Sequence, residues 1–351
     1  GINEYQSLGP RPLEFSLMGI SATDFTVEDI YVVLGYVSFS FDKAFKTDVL
    51  LSNLKKSLDD EYLDDLYIAN KSELSASNDI PIKLKQIFAQ IDQGLETYPR
   101  WDGSNAWLIA SDKSSSGSPI FANDTHIAVS NPTVWWEARV SYPGYDTHGY
   151  FMGAVPFPML GDTKESSWGI TIFHKDSTDF IKENLVDARH IVRKDKAYEI
   201  STTLETIEVK GEDDFTFERF SSELGPILND AYSDDDKSYM LTLDWDFLKE
   251  DNAILKGLYI VSHARNKEEF TIGAAEIIAP SLNLFYTGLS EDIIHVTTGR
   301  LKDYEGQNPN YVMNPPEAKS FTRKPYAANP KEINPEFGII YNANQQPYQG
   351  V

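Results

Sequence analysis

"RWDGSNAWLIASDKSSSGSPIFANDTHIAV", residues 100–129, reads as two strands joined by a serine-rich connection. "NAWLIAS" and "PIFAN" are β-rich, and "DKSSSGSP" between them has the small and breaker residues of a hairpin turn. The first strand begins at a small hydroxyl residue, Ser104, set between Gly103 and Asn105. On the two sides of this stretch the chain has different textures. Upstream, Gly9, Pro10, Pro12 and Gly19 predict a loop over residues 1–24, after which "SATDFTVED" offers Thr23 or Thr26 as a helix cap with acids in the first turn. In "NDIPIKLKQIFAQIDQGLE", Ile80, Leu84, Ile87, Phe88, Ile91 and Leu95 recur at helical spacing and Gly94 stands near the end, so three or four helices are expected from 26 to 95.

Downstream of Pro99 the pattern becomes β-rich: "TVWWEARVSY", "SSWGITIFH" and "TTLETIEVKG" are separated by Gly, Pro, Asn and Asp. A helix is expected at "KEEFTIGAAEIIA" (267–279), strands at "LNLFYTG" and "DIIHVTTG", and a Pro- and Asn-rich loop from 303 to 335. No period of 20 to 50 residues repeats, which argues against a solenoid or propeller. Grouped helices followed by a long series of strands predict an α+β fold with helices layered on sheets.

The 351 residues are 41% hydrophobic, enough for one large core or two ordinary ones, and carry a formal net charge of −23. That charge argues against a phosphate-backbone partner, because nucleic-acid affinity rests mostly on Lys and Arg. With no cysteine there is no disulfide, thiolate nucleophile or Cys-based zinc site, so covalent chemistry falls to Ser, Thr, Lys or a carboxylate. No apolar run approaches the roughly 20 residues that span a bilayer, and residues 1–20 lack signal-peptide character.

The six histidines, at 126, 148, 174, 190, 263 and 295, form no HxxxH or HxH pair with an acid nearby, so zinc has no support. "LDDEYLDDL" and "YSDDDKSY" read as solvated acidic faces or turn tips. "HKDSTDF" is different, since Asp176 and Asp179 flank Thr178 directly after a strand. That spacing suits either an Asx-type turn or two carboxylates and a carbonyl facing one hard cation such as calcium. There is no phosphate-binding Gly loop and no GxSxG elbow. Ser104 has no evident histidine partner. One mechanism needs none: were the Gly103–Ser104 bond cut, Ser104 would gain an α-amine with an ordinary pKa near ~8, able to take the proton from its own hydroxyl.

At this point the sequence resembles the penicillin acylase family of N-terminal nucleophile (Ntn) hydrolases. "GINEYQ" and "RPLEFSLMGISATDFTVEDIYVV" resemble a segment of that family's small subunit, with Phe25, Val27, Glu28 and Asp29 in the helix-start motif. "GSNAWLIASDKSSSGSPIFANDTH" resembles the start of the large subunit, Gly-Ser-Asn-x-Trp followed by Asn-Asp-Pro-His, with Thr125 in place of the proline. "SSWGITIFHKDSTD" carries the Trp-Gly-x-Thr strand as Trp168, Gly169 and Thr171, preceded by Gly161, Asp162 and Thr163 where the family has Gly-His-Asn. "NPEFGIIYNANQQP" resembles the segment that holds the family's oxyanion asparagine.

The resemblance implies a four-layer αββα Ntn core with an added helical segment. Residues 1–103 would belong to the small subunit and 104–351 to the large subunit of one precursor. It implies that Ser104 is the nucleophile, released by self-cleavage after Gly103, that the N–H of Ile172 and the amide of Asn344 form the oxyanion hole, and that the backbone of His126 orients substrate and amine. Ile127, Leu160 and Phe41 fall at or near acyl-pocket positions. A structural calcium would take Asp176, the carbonyl of Thr178, Asp179 and the carbonyl of Pro309, with Asp48 near a small-subunit acid. The substrate would be an N-acyl derivative of a small amine, such as a β-lactam or an acyl-homoserine lactone, and the protein would be exported to the periplasm or cell surface. Family members continue beyond both ends of these 351 residues, so a fragment or a cut-down relative is expected. Two readings from other classes compete: a non-catalytic module that keeps the fold, and a glycan-binding protein using Trp135 and Trp136, of which strand periodicity expects one in the core and one on the surface.

Overall fold

The structure, a computed structural model, describes residues 1–42, 44–55, 57–59, 62, 93, 101–228 and 239–345. The helical stretch expected at 78–96, with Ile80 through Leu95, lies outside these residues, as do most of the two acidic runs.

Residues 1–24, expected as loop, instead hold two short helices, α1 (Ile2–Leu8) and α2 (Leu13–Met18). Their Pro and Gly residues bound the helices rather than fill a loop: Gly9 closes α1, Pro12 precedes α2, and Gly19 ends it in the left-handed conformation (φ 60°) that glycine adopts without a Cβ clash. Of the two expected caps, Thr26 is the one used. It starts α3 (Val27–Phe41) through a capping box with Asp29, whose Oδ2 accepts from the Thr26 N–H at 2.7 Å. α4 (Ala44–Lys55) follows.

From residue 101 the chain is mostly sheet. A three-stranded sheet has the order β18 (Ile339–Asn342), β1 (Trp101–Ile109), β2 (Ile120–Ile127). A seven-stranded antiparallel sheet has the order β17 (Lys331–Ile333), β14 (Ile293–Thr297), β13 (Leu282–Gly288), β6 (Ser166–Ile172), β5 (Leu160–Thr163), β4 (Tyr145–Met152), β3 (Trp135–Tyr142). A four-stranded sheet, β12 (Tyr239–Trp245), β7 (Thr178–Asp187), β8 (His190–Arg193), β9 (Lys196–Glu199), extends beside α4. Two ribbons, β10 (Ser201–Ile207) with β11 (Phe215–Ser221) and β15 (Lys302–Asp303) with β16 (Thr322–Arg323), complete the strands among the described residues.

Side-chain alternation explains the layering. On the seven-stranded sheet the even-numbered residues Trp168, Ile170, Leu282, Leu284, Tyr286, Ile294 and Val296 enter one core, packed against α5 (Ile254–His263), α6 (Lys267–Glu276) and Leu34 and Val37 of α3. The opposite face meets the three-stranded sheet, where Phe285 and Ile293 pack with Ala106, Leu108 and Ile340. The layers among the described residues are therefore sheet, sheet and helices. The outer face of the three-stranded sheet carries Trp107 and Tyr341, 45% and 72% exposed.

The expected helix at 267–279 is α6, capped by Asn266, and it stops at Glu276. α5 is a helix that strand-like residues (Leu, Tyr, Ile, Val) hide in the sequence. Its position is set by a glycine crossing: a Cβ on Gly257 would lie 2.9 Å from the Gly273 carbonyl oxygen of α6, so only glycine lets the two helices touch there. The turn expected at "DKSSSGSP" joins β1 to β2. The β1 strand runs without a break through Gly103 and Ser104, and its pairing with β2 shifts register between Trp101 and Gly103.

Candidate active site

Ser104 points inward from β1, on the same face as Ala106 and Leu108, and is 2% exposed. Facing it across the gap between sheets is the end of β6, and beside it the residues that follow β18. Three groups separated by up to 240 positions in the chain converge here. The N–H of Ile172 donates to Ser104 Oγ at 3.2 Å, and Asn344 Nδ2 donates to the same oxygen at 3.1 Å. The Ser104 N–H donates to Asn344 Oδ1 at 2.6 Å, so one amide side chain holds both the hydroxyl and the backbone nitrogen of the serine. Asn344 does this from a left-handed backbone (φ 63°), which asparagine tolerates better than most residues and which costs roughly 1 kcal/mol.

Gly103 leaves room for this crowding. A Cβ there would stand 3.0 Å from Asn344 Oδ1 and 3.4 Å from His126 Nδ1. His126 lies opposite Gly103 in the β1–β2 ladder, with Nε2 3.1 Å from Asp124 Oδ2 and 3.0 Å from Asn105 Nδ2. Its ring is about half exposed and flanks the 103–104 peptide rather than reaching into the buried gap.

The Trp-Gly-x-Thr strand has a physical account. Trp168 anchors β6 in the helix-side core and donates from Nε1 to the Pro158 carbonyl at 3.1 Å. Gly169 faces the other sheet, where Asn123 of β2 uses its side chain as a substitute strand. Asn123 Oδ1 accepts from the Ile170 N–H at 2.8 Å, and its Nδ2 donates to the carbonyls of Ile170 at 2.9 Å and Asn105 at 2.7 Å. This amide bridge joins the strand of the serine to the strand of Ile172.

Around Ser104 the buried layer turns from apolar to polar. Thr171 Oγ1 donates to Asn342 Oδ1 at 2.6 Å, and Asn283 Nδ2 donates to Thr171 Oγ1 at 3.0 Å and to the Ile172 carbonyl at 2.9 Å. Because the Asn283 nitrogen is committed as a donor, its Oδ1 must accept from His295 Nε2–H at 2.8 Å, which fixes the imidazole tautomer. Burial pushes the His295 pKa down to about 4. A histidine depressed in this way is neutral in the folded chain while the unfolded chain takes up a proton near its ordinary ~6.5, so stability is lost as pH falls from ~6.5 to about 4, by roughly 3 kcal/mol. Denaturant unfolding at pH 7 and 4.5 checks this: the native chain shows the loss and His295→Gln shows a smaller one. An equal slope in both would contradict it. Asn123 was visible only as part of the Asn-Asp-x-His motif and His295 only as one of six histidines, while Asn283 and Asn342 did not stand out in the sequence. The signal was there in "LNLFYTG", where a single Asn interrupts an apolar strand.

Of the residues expected to line an acyl pocket, Phe41 and Ile127 meet Trp101, three positions before Ser104, and Leu160 packs on the same core. Phe41, at the end of α3, meets the Trp101 ring edge-on at 5.2 Å, and Trp101 meets Trp135 edge-on at 5.3 Å. Ile127 pairs opposite Trp101, and Leu160 packs with Phe41, Trp101 and Trp135 against the helix-side core. Trp135 is thus a packing residue while Trp136 is 55% exposed, as the alternation expected.

The acids of "HKDSTDF" are not at a solvated turn. Asp48 of α4 and Asp179 are buried, and Asp42 accepts from the hydroxyls of Ser177 and Thr178. Burial, then the neighbouring charges of Asp176 and Asp179, hold the Asp48 pKa well above the usual carboxylate range. Asp176 is raised by burial and by Asp179, and Asp179 is pushed up to about 7 by burial against the opposing pull of Lys302. Lys302 Nζ sits 2.8 Å from Asp179 Oδ2, 3.3 Å from Asp244 and 3.2 Å from Asp246. Among the described residues no three acidic or imidazole groups converge as a metal-ligand set. Yet Asp48 Oδ2 and Asp179 Oδ1 are buried without a hydrogen-bond partner. Oxygen-only donors of like charge, with two orphaned atoms, fit the chemistry of a hard divalent cation. The segment that follows Pro309 runs along this cluster, with the Val312 N–H donating to Ser52 Oγ of α4 at 2.9 Å and the Met313 N–H to the Phe180 carbonyl at 2.8 Å.

The chain is similar to known proteins in sequence and in fold. The family model described as penicillin amidase matches residues 1–351. Penicillin G acylase of Escherichia coli is 28% identical over 260 residues, covering 72% of this chain and 30% of the relative. The acyl-homoserine lactone acylase QuiP of Pseudomonas aeruginosa is 25% identical over 261 residues, covering 70% of this chain and again 30% of the relative. The chain therefore spans about a third of the length of the curated relatives it matches. Among solved structures, a thermostable penicillin G acylase from Alcaligenes faecalis superposes with a TM-score of 0.63 at 22% identity, covering 70% of this chain and 45% of that one, which shows a shared fold.

Proposed function

Since the chain belongs to the penicillin amidase family, we propose that it is part of an amide hydrolase whose nucleophile is Ser104, freed as an N-terminal residue by self-cleavage after Gly103. The observation that carries this reading is the convergence of the Ile172 N–H and the Asn344 amide on Ser104 Oγ, with Asn344 also holding the Ser104 nitrogen.

Processing comes first. Ser104 Oγ attacks the Gly103 carbonyl, its proton passes to the Ser104 nitrogen, and the C–N bond breaks to leave Gly103 esterified on Oγ. Water then cleaves the ester, giving a Gly103 carboxylate and a free Ser104 hydroxyl and amine. In the uncut chain the serine is buried and its nitrogen is an amide that cannot serve as a base. Cutting supplies the base and opens the strand beside the Phe41, Trp101, Trp135 and Leu160 cluster, the place for an acyl chain. In turnover Oγ attacks the carbonyl of an N-acyl amide, the α-amine carries the proton to the leaving amine, and water releases the acid. The Ile172 N–H and Asn344 Nδ2 receive the developing oxyanion, each worth roughly 3 kcal/mol in the transition state.

The names of the relatives point to N-acylated small molecules, β-lactam or homoserine-lactone amides, as the substrate class. Hydrolysis of a panel of N-acyl amides by the full-length protein tests this, and release of neither acid nor amine from any member would overturn it. The small and large subunits of one precursor and export from the cytoplasm belong to the same proposal and rest on the family alone. Among the described residues no helix is long and apolar enough to cross a membrane.

Calcium also forms part of the reading: Asp48, Asp176 and Asp179, with the carbonyls of Thr178 and Pro309, would hold it and join α4 to β7 across the processing junction. When bound, the ion supplies charge compensation to buried carboxylates rather than any chemical step. Chelation is expected to lower the melting temperature of the full-length protein, added calcium to restore it, and Asp48→Asn to reduce the response. A melting temperature indifferent to chelator would contradict the assignment.

A further inference from the structure

We propose that Thr171, backed by Asn342 and Asn283, is the positioning residue that sets the two oxyanion donors relative to each other. This rests on the reading of Ile172 and Asn344 as those donors and assigns what holds them in place.

The two donors belong to different sheets. Ile172 ends β6 of the seven-stranded sheet, and Asn344 follows β18 of the three-stranded one. The Thr171 hydroxyl ties the two strands directly: it donates across the gap to Asn342 Oδ1 at 2.6 Å, and that same oxygen accepts the Asn344 N–H at 2.9 Å. The carbonyl acceptor thus holds Asn344 in its left-handed turn, the conformation that aims Nδ2 at Ser104 Oγ. On the other side, Asn283 Nδ2 donates to Thr171 Oγ1 and to the Ile172 carbonyl, which also accepts from Asn344 Nδ2 at 3.1 Å. The Ile172 carbonyl is therefore held by amides of both sheets, which fixes the residue whose N–H is directed at Oγ.

Burial argues that this layer exists for the site. Thr171 is 1% exposed, Asn283 0% and Asn342 5%. One layer along the same gap the fold uses Ala106, Leu108, Phe285 and Ile340, so apolar packing was available. Uncharged polar side chains buried this completely cost stability unless they are bonded, and here the bonds lead toward Ile172 or Asn344, apart from the one Asn283 Oδ1 accepts from His295.

The test is Thr171→Val in the full-length processed protein, with N-phenylacetyl and N-decanoyl p-nitroanilides as probes. Valine keeps the volume and removes the donor. The expected result is a kcat roughly 10- to 100-fold lower with KM within about threefold, less than the roughly 10²- to 10³-fold loss when an oxyanion donor is removed outright. Thr171→Ser, which restores the hydroxyl, should recover most of kcat, although it loses the methyl packing that a merely structural role would need. If the valine variant does not fold, Thr171→Cys, a weak donor of similar size, takes its place. Wild-type kcat in the variant, a change in KM alone, or failure of serine to rescue would overturn the proposal. Asn344→Ala separates the two levels. If it loses kcat while Thr171→Val does not, only this inference fails; if Asn344→Ala is itself unimpaired, the oxyanion reading fails with it.

Discussion

Ser104→Ala in the full-length protein should abolish both hydrolysis of N-acyl amides and cleavage of the 103–104 bond. Hydrolysis should fall by on the order of 10⁴-fold or more, because the hydroxyl is the atom that bonds to the acyl carbon in every turnover. The same substitution should scarcely disturb the fold. Ser104 Oγ acts as an acceptor for Ile172 N–H and Asn344 Nδ2, but the Ser104 N–H bond to Asn344 Oδ1 and the β1 ladder do not depend on the side chain. Steady-state assays and intact mass on one preparation separate the possibilities. A variant that remains uncut, inactive and stable is the expected outcome, whereas an alanine variant that still hydrolyses amides would place the nucleophile elsewhere. A non-catalytic module would show no difference between serine and alanine in any assay.

Gly169→Ala should be among the most damaging single substitutions on stability. The added Cβ would stand 2.1 Å from Asn123 Oδ1 and 2.8 Å from the Phe121 ring. Asn123 cannot swing aside cheaply, since its amide holds the Ile170 N–H and the carbonyls of Ile170 and Asn105. Either the two sheets part or the bridge breaks. Overpacking a tight core costs about 1–3 kcal/mol and each orphaned buried amide about as much again, so a loss of roughly 3–5 kcal/mol is expected. Because the bridge joins β1 to β6, activity and processing should decline with it. Denaturant unfolding checks the figure, and a variant within about 1 kcal/mol of the parent would mean that the sheet gap is more compliant than its bonding suggests.

How much of this could be read from the sequence depended on how local each signal was. The start of strand at residue 101, the β1–β2 hairpin and the strands at 282–288 and 293–297 follow from short-range patterns, and they stand where expected. α5 did not show, because Leu-Tyr-Ile-Val has strand propensity and the helix is favoured by tertiary packing, through the Gly257–Gly273 crossing and the burial of Ile254, Leu258 and Val261. Two helices hid in residues 1–24 because Pro and Gly mark the edges of elements as readily as the middle of loops. At the site, Ser104, Ile172 and Asn344 were chosen through a family resemblance, and the fold brings them within hydrogen-bond distance. The amides behind them were not legible. Asn283 and Asn342 acquire meaning only when two sheets are stacked and their inward faces are known. The acids at 176 and 179 were ambiguous for the opposite reason: two carboxylates in a short segment look like a turn until burial beside Asp48 is seen.

Everything proposed for Ser104 depends on the chain itself cutting the bond between Gly103 and Ser104. Intact-mass measurement of freshly made, denatured full-length protein tests it most directly. Two polypeptides are expected, one ending at Gly103 and the other beginning at Ser104, together with a single uncut polypeptide in Ser104→Ala made in the same host. A single uncut chain that nevertheless hydrolyses N-acyl amides would contradict it.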